Sequence, residues 1–250
     1  MSTTDLAGST AVVTGASRGF GRAVAVALHQ AGAEVVAVAR DGERLEALRA
    51  ELGDRVTPVV ADAADPVVAG RVLERYRPRT LVLNAGAAPL MRPLQQQSWE
   101  AFSRPWEVDV AQAFHWLREA LLLPLDPGST VIALSSGAAL NGSPLSGGYA
   151  GAKAMVRFLA GYAAGESKQA GLGIRIVSIL PTLTAETELG AAAVAGYARQ
   201  EGIEVAEKLR RMGPTLRPEH VGKHLAALAA GTDHAPGAYL LSIDGLKEIC

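Results

Sequence analysis

Short runs dominated by Val, Ile and Leu recur along the chain at residues 11–14, 34–39, 57–61, 80–84, 129–135, 175–180 and 239–243. Their apolar positions are consecutive rather than alternating, which marks strands covered on both faces, as in a parallel sheet. Between them stand segments of helical length, among them 21–31, 43–51, 107–123, 149–169 and 218–229. Strand and helix alternating in this way predict a doubly wound α/β domain, with about seven parallel strands and helices on both faces. No repeat or linker divides the 250 residues, so a single domain spanning 1–250 is expected. One interval breaks the rhythm: residues 181–217 carry no strand pattern. A substrate lid is expected there, with a helix over 194–210.

Charge narrows the partners. Lys and Arg total 24 against 25 Asp and Glu, a formal net charge of −1, so no overall field draws the chain to nucleic acid or anionic lipid. The sole cysteine, Cys250, allows neither an internal disulfide nor a thiolate metal cluster. His29, His115, His220, His224 and His234 are scattered, and only His220 and His224 share helical spacing, so no zinc site is expected. The first ten residues lack a basic, apolar leader, and no later run approaches the roughly 18 apolar residues of a membrane span. A cytoplasmic location is the expectation.

Directly after the first run the chain reads Thr14-Gly15-Ala16-Ser17-Arg18-Gly19-Phe20-Gly21, and a helix follows. Glycines at 15, 19 and 21 permit a tight turn, close approach of backbone to a diphosphate, and helix N–H groups aimed at its charge. This position is where a dinucleotide cradle belongs in an alternating α/β chain. At the end of the second strand an acidic residue would hold an adenosine ribose diol, whereas an arginine pairs with a 2′-phosphate. Arg40 stands there and Arg18 lies in the glycine loop, so NADP(H) is expected over NAD(H). Asp41 offers the opposing possibility of reaching the diol, and Arg40 that of an ordinary solvated cation.

Tyr149 and Lys153 lie one helical turn apart in Tyr149-Ala150-Gly151-Ala152-Lys153, so phenol and ammonium share a face. A cation beside a phenol favours the phenolate and moves the group toward useful acid/base chemistry. Ser136, at the end of the fifth strand, stands where this fold opens its ligand crevice, in position to hold a carbonyl oxygen.

In these motifs the chain resembles the short-chain dehydrogenase/reductase family. The family's TGxxxGxG loop matches Thr14 to Gly21, its NAG motif Asn84-Ala85-Gly86, its serine Ser136, and its YxxxK Tyr149 and Lys153. The resemblance implies Tyr149 as general acid/base, Lys153 lowering its pKa and binding the nicotinamide ribose, and Ser136 orienting the substrate oxygen. It also implies that Gly15, Ser17, Arg18, Gly19, Phe20 and Gly21 form the cradle and that Asp62 and Ala63 meet the adenine. Asn84, Ala85 and Gly86 would line the cofactor groove, and a homotetramer or homodimer would form through helices 107–123 and 149–169.

Three departures from the family pattern stand out. Where the family places an asparagine in the helix after NAG, this chain has Asp109, which can accept hydrogen bonds or pair with Lys153 but donates only when protonated. The other reading of Asp109 is a solvated helix residue one register away. After the sixth strand Pro181-Thr182 replaces Pro-Gly, and Thr184 is placed to reach the nicotinamide carboxamide or a diphosphate oxygen. A charged tail follows Asp244-Gly245, with nothing catalytic read into it. Met91, Leu94, Asn141, Leu145, Leu183, Leu189 and Tyr197 are the expected pocket walls, mostly apolar. Trp99, Trp106 and Trp116 are expected to pack helices or an oligomer seam.

The expected activity is NADP(H)-dependent reduction of a small, apolar carbonyl compound or oxidation of the corresponding alcohol. A non-catalytic nucleotide sensor or scaffold on the same fold is the alternative, motivated by Asp109 and Thr182. A lyase or epimerase would need a larger second lobe than 181–217 can build.

Overall fold

The computed structural model describes residues 5–231 and 235–249, so His234 and Cys250 lie outside the described residues. The chain alternates as anticipated through β1 (Thr10–Thr14), α1 (Gly19–Gln30), β2 (Glu34–Ala39), α2 (Gly42–Leu52), β3 (Val56–Val60), α3 (Pro66–Tyr76) and β4 (Thr80–Leu83). It continues with α4 (Trp99–Pro105), α5 (Ala111–Leu122), β5 (Thr130–Leu134), α6 (Ala138–Asn141), α7 (Gly147–Gln169) and β6 (Arg175–Pro181). Last come α8 (Glu188–Glu201), α9 (Val205–Met212), α10 (Pro218–Ala230), β7 (Gly237–Ser242) and β8 (Gly245–Ile249). The sheet order is β3-β2-β1-β4-β5-β6-β7-β8.

β1 to β7 run parallel and β8 returns antiparallel to β7, with Ser242 opposite Gly245. The expected count of seven is thus corrected to eight among the described residues. Ile243-Asp244 forms a two-residue connection before Gly245, whose φ of +107° needs no side chain to avoid. Asp-Gly at that point is a hairpin signal that the charge of the following strand obscured.

The strands are buried on both faces, which is why their apolar residues run consecutively. Ala11 and Val13 of β1 pack with Leu28 of α1, Leu45 of α2 and Leu225 of α10, while Val12 faces Leu73 of α3 and Trp116 of α5. The order changes direction at β1, with β2 on one side and β4 on the other, the switch point at whose carboxyl end a doubly wound sheet holds its ligand crevice.

Two helical expectations change. The helix expected over 194–210 is two helices, because Gly202 takes a left-handed conformation, φ +66°, and ends α8 before α9 starts. The helix expected over 107–123 begins with a π-helical turn, Trp106–Val110, in which the Ala111 N–H reaches the Trp106 carbonyl. Pro105 ends the preceding helix and supplies no N–H to continue its ladder, so the register widens there. No helix among the described residues is long and apolar enough to cross a membrane.

Candidate active site

Thr14 ends β1 at a junction of three elements. Its hydroxyl donates to Gln112 Oε1 at 2.9 Å and accepts from the backbone N–H groups of Asn84 at 2.9 Å and Ala85 at 3.1 Å. Asn84 Nδ2 donates to the carbonyls of Thr14 at 3.0 Å and Gly15 at 3.2 Å. The two loops are therefore locked against each other. A Cβ on Gly15 would lie 2.7 Å from Asn84 Nδ2, and Gly15 also has φ +67°, so only glycine fits. Gly21 is placed differently from expectation: it lies behind the loop, where a Cβ would come within 2.2 Å of the Gly15 carbonyl, and it packs helix to turn rather than bordering the groove.

A groove of 870 Å³ crosses the carboxyl ends of the strands. Gly15, Ser17, Arg18, Gly19, Phe20, Arg40, Asp62 and Ala63 border one half, and Asn84, Ala85, Gly86, Pro181, Thr182 and Thr184 border the middle. Ser136, Tyr149 and Lys153 border the far half with Asp109. Thr184 is buried, and its hydroxyl accepts from the Glu186 N–H at 3.0 Å, which shapes the loop. Of the expected pocket walls, Met91, Asn141, Leu183, Leu189 and Tyr197 border the groove. Leu145 is buried outside its lining and Leu94 is exposed in a short 3₁₀ turn; neither forms a wall.

The far half is built on β5 and α7. Ser135 Oγ donates to the Lys153 carbonyl at 2.7 Å and ties the helix to the strand. Lys153, itself buried, donates to the Leu134 carbonyl at 3.1 Å and sits 5.7 Å from the Tyr149 ring centre. Asp109 is fully buried, with Oδ2 3.0 Å from Lys153 Nζ in an ion-pair contact and Oδ1 accepting from the Ala87 N–H at 2.8 Å. The carboxylate thus faces the lysine rather than solvent, delivered there by the π-helical turn. Gly86 makes room for it, since a Cβ would meet Oδ2 at 2.8 Å.

These charges set the phenol. Burial raises the Tyr149 pKa above its ordinary value; Lys153 opposes the rise, Asp109 adds to it, and a hydrogen bond with the Ser136 hydroxyl opposes it. For Lys153, burial alone would lower the pKa, but the Asp109 carboxylate and the Tyr149 phenol outweigh it and hold the ammonium above its ordinary value. The lysine is firmly charged, yet its field is largely spent on a carboxylate.

The near half is lined by arginines paired with carboxylates. Arg40 lies 4.0 Å from Asp62, and both are solvent-facing. Asp41 is committed locally, because it caps α2 by accepting from the Arg44 N–H at 3.0 Å. A third guanidinium, Arg44, also borders the groove. Reading the sequence missed it, although it stands four residues after Arg40 at the start of a helix, where both face the same end. Trp116, expected to pack helices, is buried in the core, and its indole N–H also donates to the Ala63 carbonyl at 2.8 Å and fixes the loop after β3. Trp99 is exposed, and Trp106 packs beside Gly151 of α7. Among the described residues there is no cluster of three or more His, Cys, Asp or Glu able to hold a metal ion.

A dinucleotide fits what is present: a glycine turn at a helix N-terminus, and one continuous groove lined by guanidiniums and by a phenol and an ammonium. Comparison with known proteins agrees. A family model described as short chain dehydrogenase matches residues 9–198. Human L-xylulose reductase is 36% identical over 129 residues, half of this chain and 52% of that protein, so the match spans about half its length. Oxidoreductase asL5 of Sarocladium schorii is 29% identical over 96% of both chains. A crystal structure of a dehydrogenase/reductase from Sinorhizobium meliloti 1021 superposes with a TM-score of 0.79 at 26% identity, covering 95% of each chain. With glycine loop, sheet order and family match in agreement over most of its length, this chain belongs to the short-chain dehydrogenase/reductase family, oxidoreductases that bind a nicotinamide cofactor.

Proposed function

We propose that the protein is an NADP(H)-dependent carbonyl reductase, with Tyr149 as proton donor to the oxygen of a small, largely apolar ketone. The observation that carries this reading is the groove with three arginines, Arg18, Arg40 and Arg44, at one end and Tyr149, Ser136 and Lys153 at the other. A bound nicotinamide would supply the hydride; the protein supplies position, the proton and the local field. Gly15, Ser17, Gly19 and Phe20 hold the diphosphate with backbone N–H groups, and Asp62 and Ala63 border the adenine. Asn84, Ala85 and Gly86 form the floor, with Pro181, Thr182 and Thr184 beside the nicotinamide. Ser136 holds the substrate oxygen, and Lys153 holds the nicotinamide ribose.

The Asp109–Lys153 pair shapes how the rate of each direction depends on pH. Reduction needs a protonated phenol, and oxidation needs a phenolate. Burial and Asp109 both keep Tyr149 protonated at neutral pH, which suits a proton donor. Met91, Leu183 and Leu189 give the substrate end an apolar wall, and Asn141 and Tyr197 add polar points. A homodimer or homotetramer through α5 and α7 is part of the same reading, supported by the exposed Phe114, Phe158 and Tyr162 on those helices.

Fluorescence titration of NADPH and NADH tests the proposal without a known substrate, repeated with Tyr149→Phe and Arg40→Asp. NADPH should bind at least about tenfold tighter than NADH, a difference of about 1.4 kcal/mol. Tyr149→Phe should bind normally and fail to reduce any ketone in a panel, and Arg40→Asp should weaken NADPH alone. Absence of binding by either cofactor would favour a scaffold role, and a preference for NADH would overturn the assignment of Arg40.

A further inference from the structure

Glu188 opens α8, the first helix of the segment over the groove, and its carboxylate is held by cations from two other elements. Oε1 accepts from Arg44 Nη1 at 3.1 Å, and Oε2 accepts from Arg18 Nη1. Arg18 belongs to the glycine loop and Arg44 to the first turn of α2, so one acid joins three segments that only the fold brings together. The hydrogen bond from Arg44 and the charge of Arg18 hold the Glu188 carboxyl below its ordinary range. All three side chains border the near half of the groove beside Arg40.

A carboxylate bridging two guanidiniums occupies the arrangement in which arginines bind a phosphate monoester. We propose that Glu188 is an internal competitor for the site of the adenosine 2′-phosphate, displaced by NADP(H) and left in place by NAD(H). The proposal rests on the NADP(H) reading above and adds to it a specificity-determining residue and a link to α8. A dianionic phosphate outcompetes a single carboxylate for Arg18 and Arg44, and like charge then drives the two anions apart. Glu188 is exposed, so its displacement strands no buried charge. A neutral ribose diol offers no such competition. Because Thr187 caps α8 through the Gly190 N–H at 3.0 Å, Glu188 is the first residue of a fixed helical turn. Its release frees the start of the segment that borders the substrate end, so cofactor type and pocket access become coupled.

The test uses the full chain and Glu188→Gln, titrated calorimetrically with adenosine 2′,5′-bisphosphate and with adenosine 5′-monophosphate, alongside amide hydrogen exchange over residues 182–201. Glu188→Gln should bind the bisphosphate about threefold to tenfold more tightly, the range expected for releasing two exposed ion pairs, with the monophosphate unchanged. In the unaltered protein the bisphosphate should raise exchange at the start of α8 and the monophosphate should not. In Glu188→Gln that exchange should be raised before any ligand is added. Equal effects on both ligands, or none, would overturn the role of Glu188 while leaving the NADP(H) reading intact, provided the unaltered protein prefers the bisphosphate. No preference for the bisphosphate in the unaltered protein would overturn both.

Discussion

Replacing Asp109 by asparagine should move alcohol oxidation to lower pH. Lys153 Nζ lies 5.7 Å from the centre of the Tyr149 ring, and a unit charge at that distance favours the phenolate by about 3 kcal/mol at an effective dielectric constant of about 20. The Asp109 carboxylate sits 3.0 Å from Nζ, so it is no more than about 9 Å from the ring and opposes the phenolate by about 2 kcal/mol on the same scale. More than half of the lysine's help is thereby cancelled. Asparagine keeps the shape and an oxygen to accept from the Ala87 N–H, while its NH2 then faces Lys153, so the buried ammonium loses its counter-charge and the protein should lose some stability. At a fixed pH below the phenol's pKa, the phenolate population and the oxidation rate should rise about tenfold to thirtyfold. The assay is the pH profile of kcat/KM for an alcohol that turns over, with the reverse reduction run in parallel. Oxidation rises with pH as the phenol deprotonates, so its rising limb should shift toward acid in Asp109→Asn. Reduction should fall off at a lower pH than in the unaltered protein. A limb that stays in place or moves toward alkali would refute the electrostatic argument. A loss of several orders of magnitude in both directions would assign the carboxylate a proton-handling role of its own.

Two further substitutions test the framework around the site. Gly148→Ala puts a Cβ 2.0 Å from the Phe102 carbonyl oxygen, so α4 must separate from α7 beside Tyr149; a loss of about 1–3 kcal/mol in denaturant unfolding is expected. Since a displacement of about 1 Å at a reacting group costs about a hundredfold, ketone reduction should fall by that order while Tyr149 itself is unchanged. Trp116→Phe removes the indole donor to the Ala63 carbonyl inside the core and should cost about 1–3 kcal/mol, with weaker cofactor binding because Ala63 borders the groove. Unaltered NADPH affinity would detach that hydrogen bond from the site.

Much of the site was legible in local pattern. Tyr149 and Lys153 share a face because their spacing matches one helical turn, and the structure places them together with Ser136 at the end of β5. The glycine turn could be located because no other residue supports its backbone at Gly15. Other features stayed hidden. Asp109 has the same local pattern whether it faces solvent or Lys153, and the π-helical turn after Pro105 decides between them. Leu94 and Leu145 were apolar in the right stretches, yet burial and exposure follow from neighbours that the local sequence does not name.

The sequence by itself determined the α/β alternation, the cradle after β1 and the phenol–ammonium pair, because each rests on a period or spacing within a few residues. Tertiary structure alone decided which carboxylate neutralises Lys153, where β8 returns to the sheet, and that Glu188 bridges Arg18 and Arg44 across 170 and 144 residues of chain. Such contacts depend on which loops the sheet order brings to one edge. Charge pairing over that distance has no periodic signature, so it becomes visible only when packing has closed the loops between the partners.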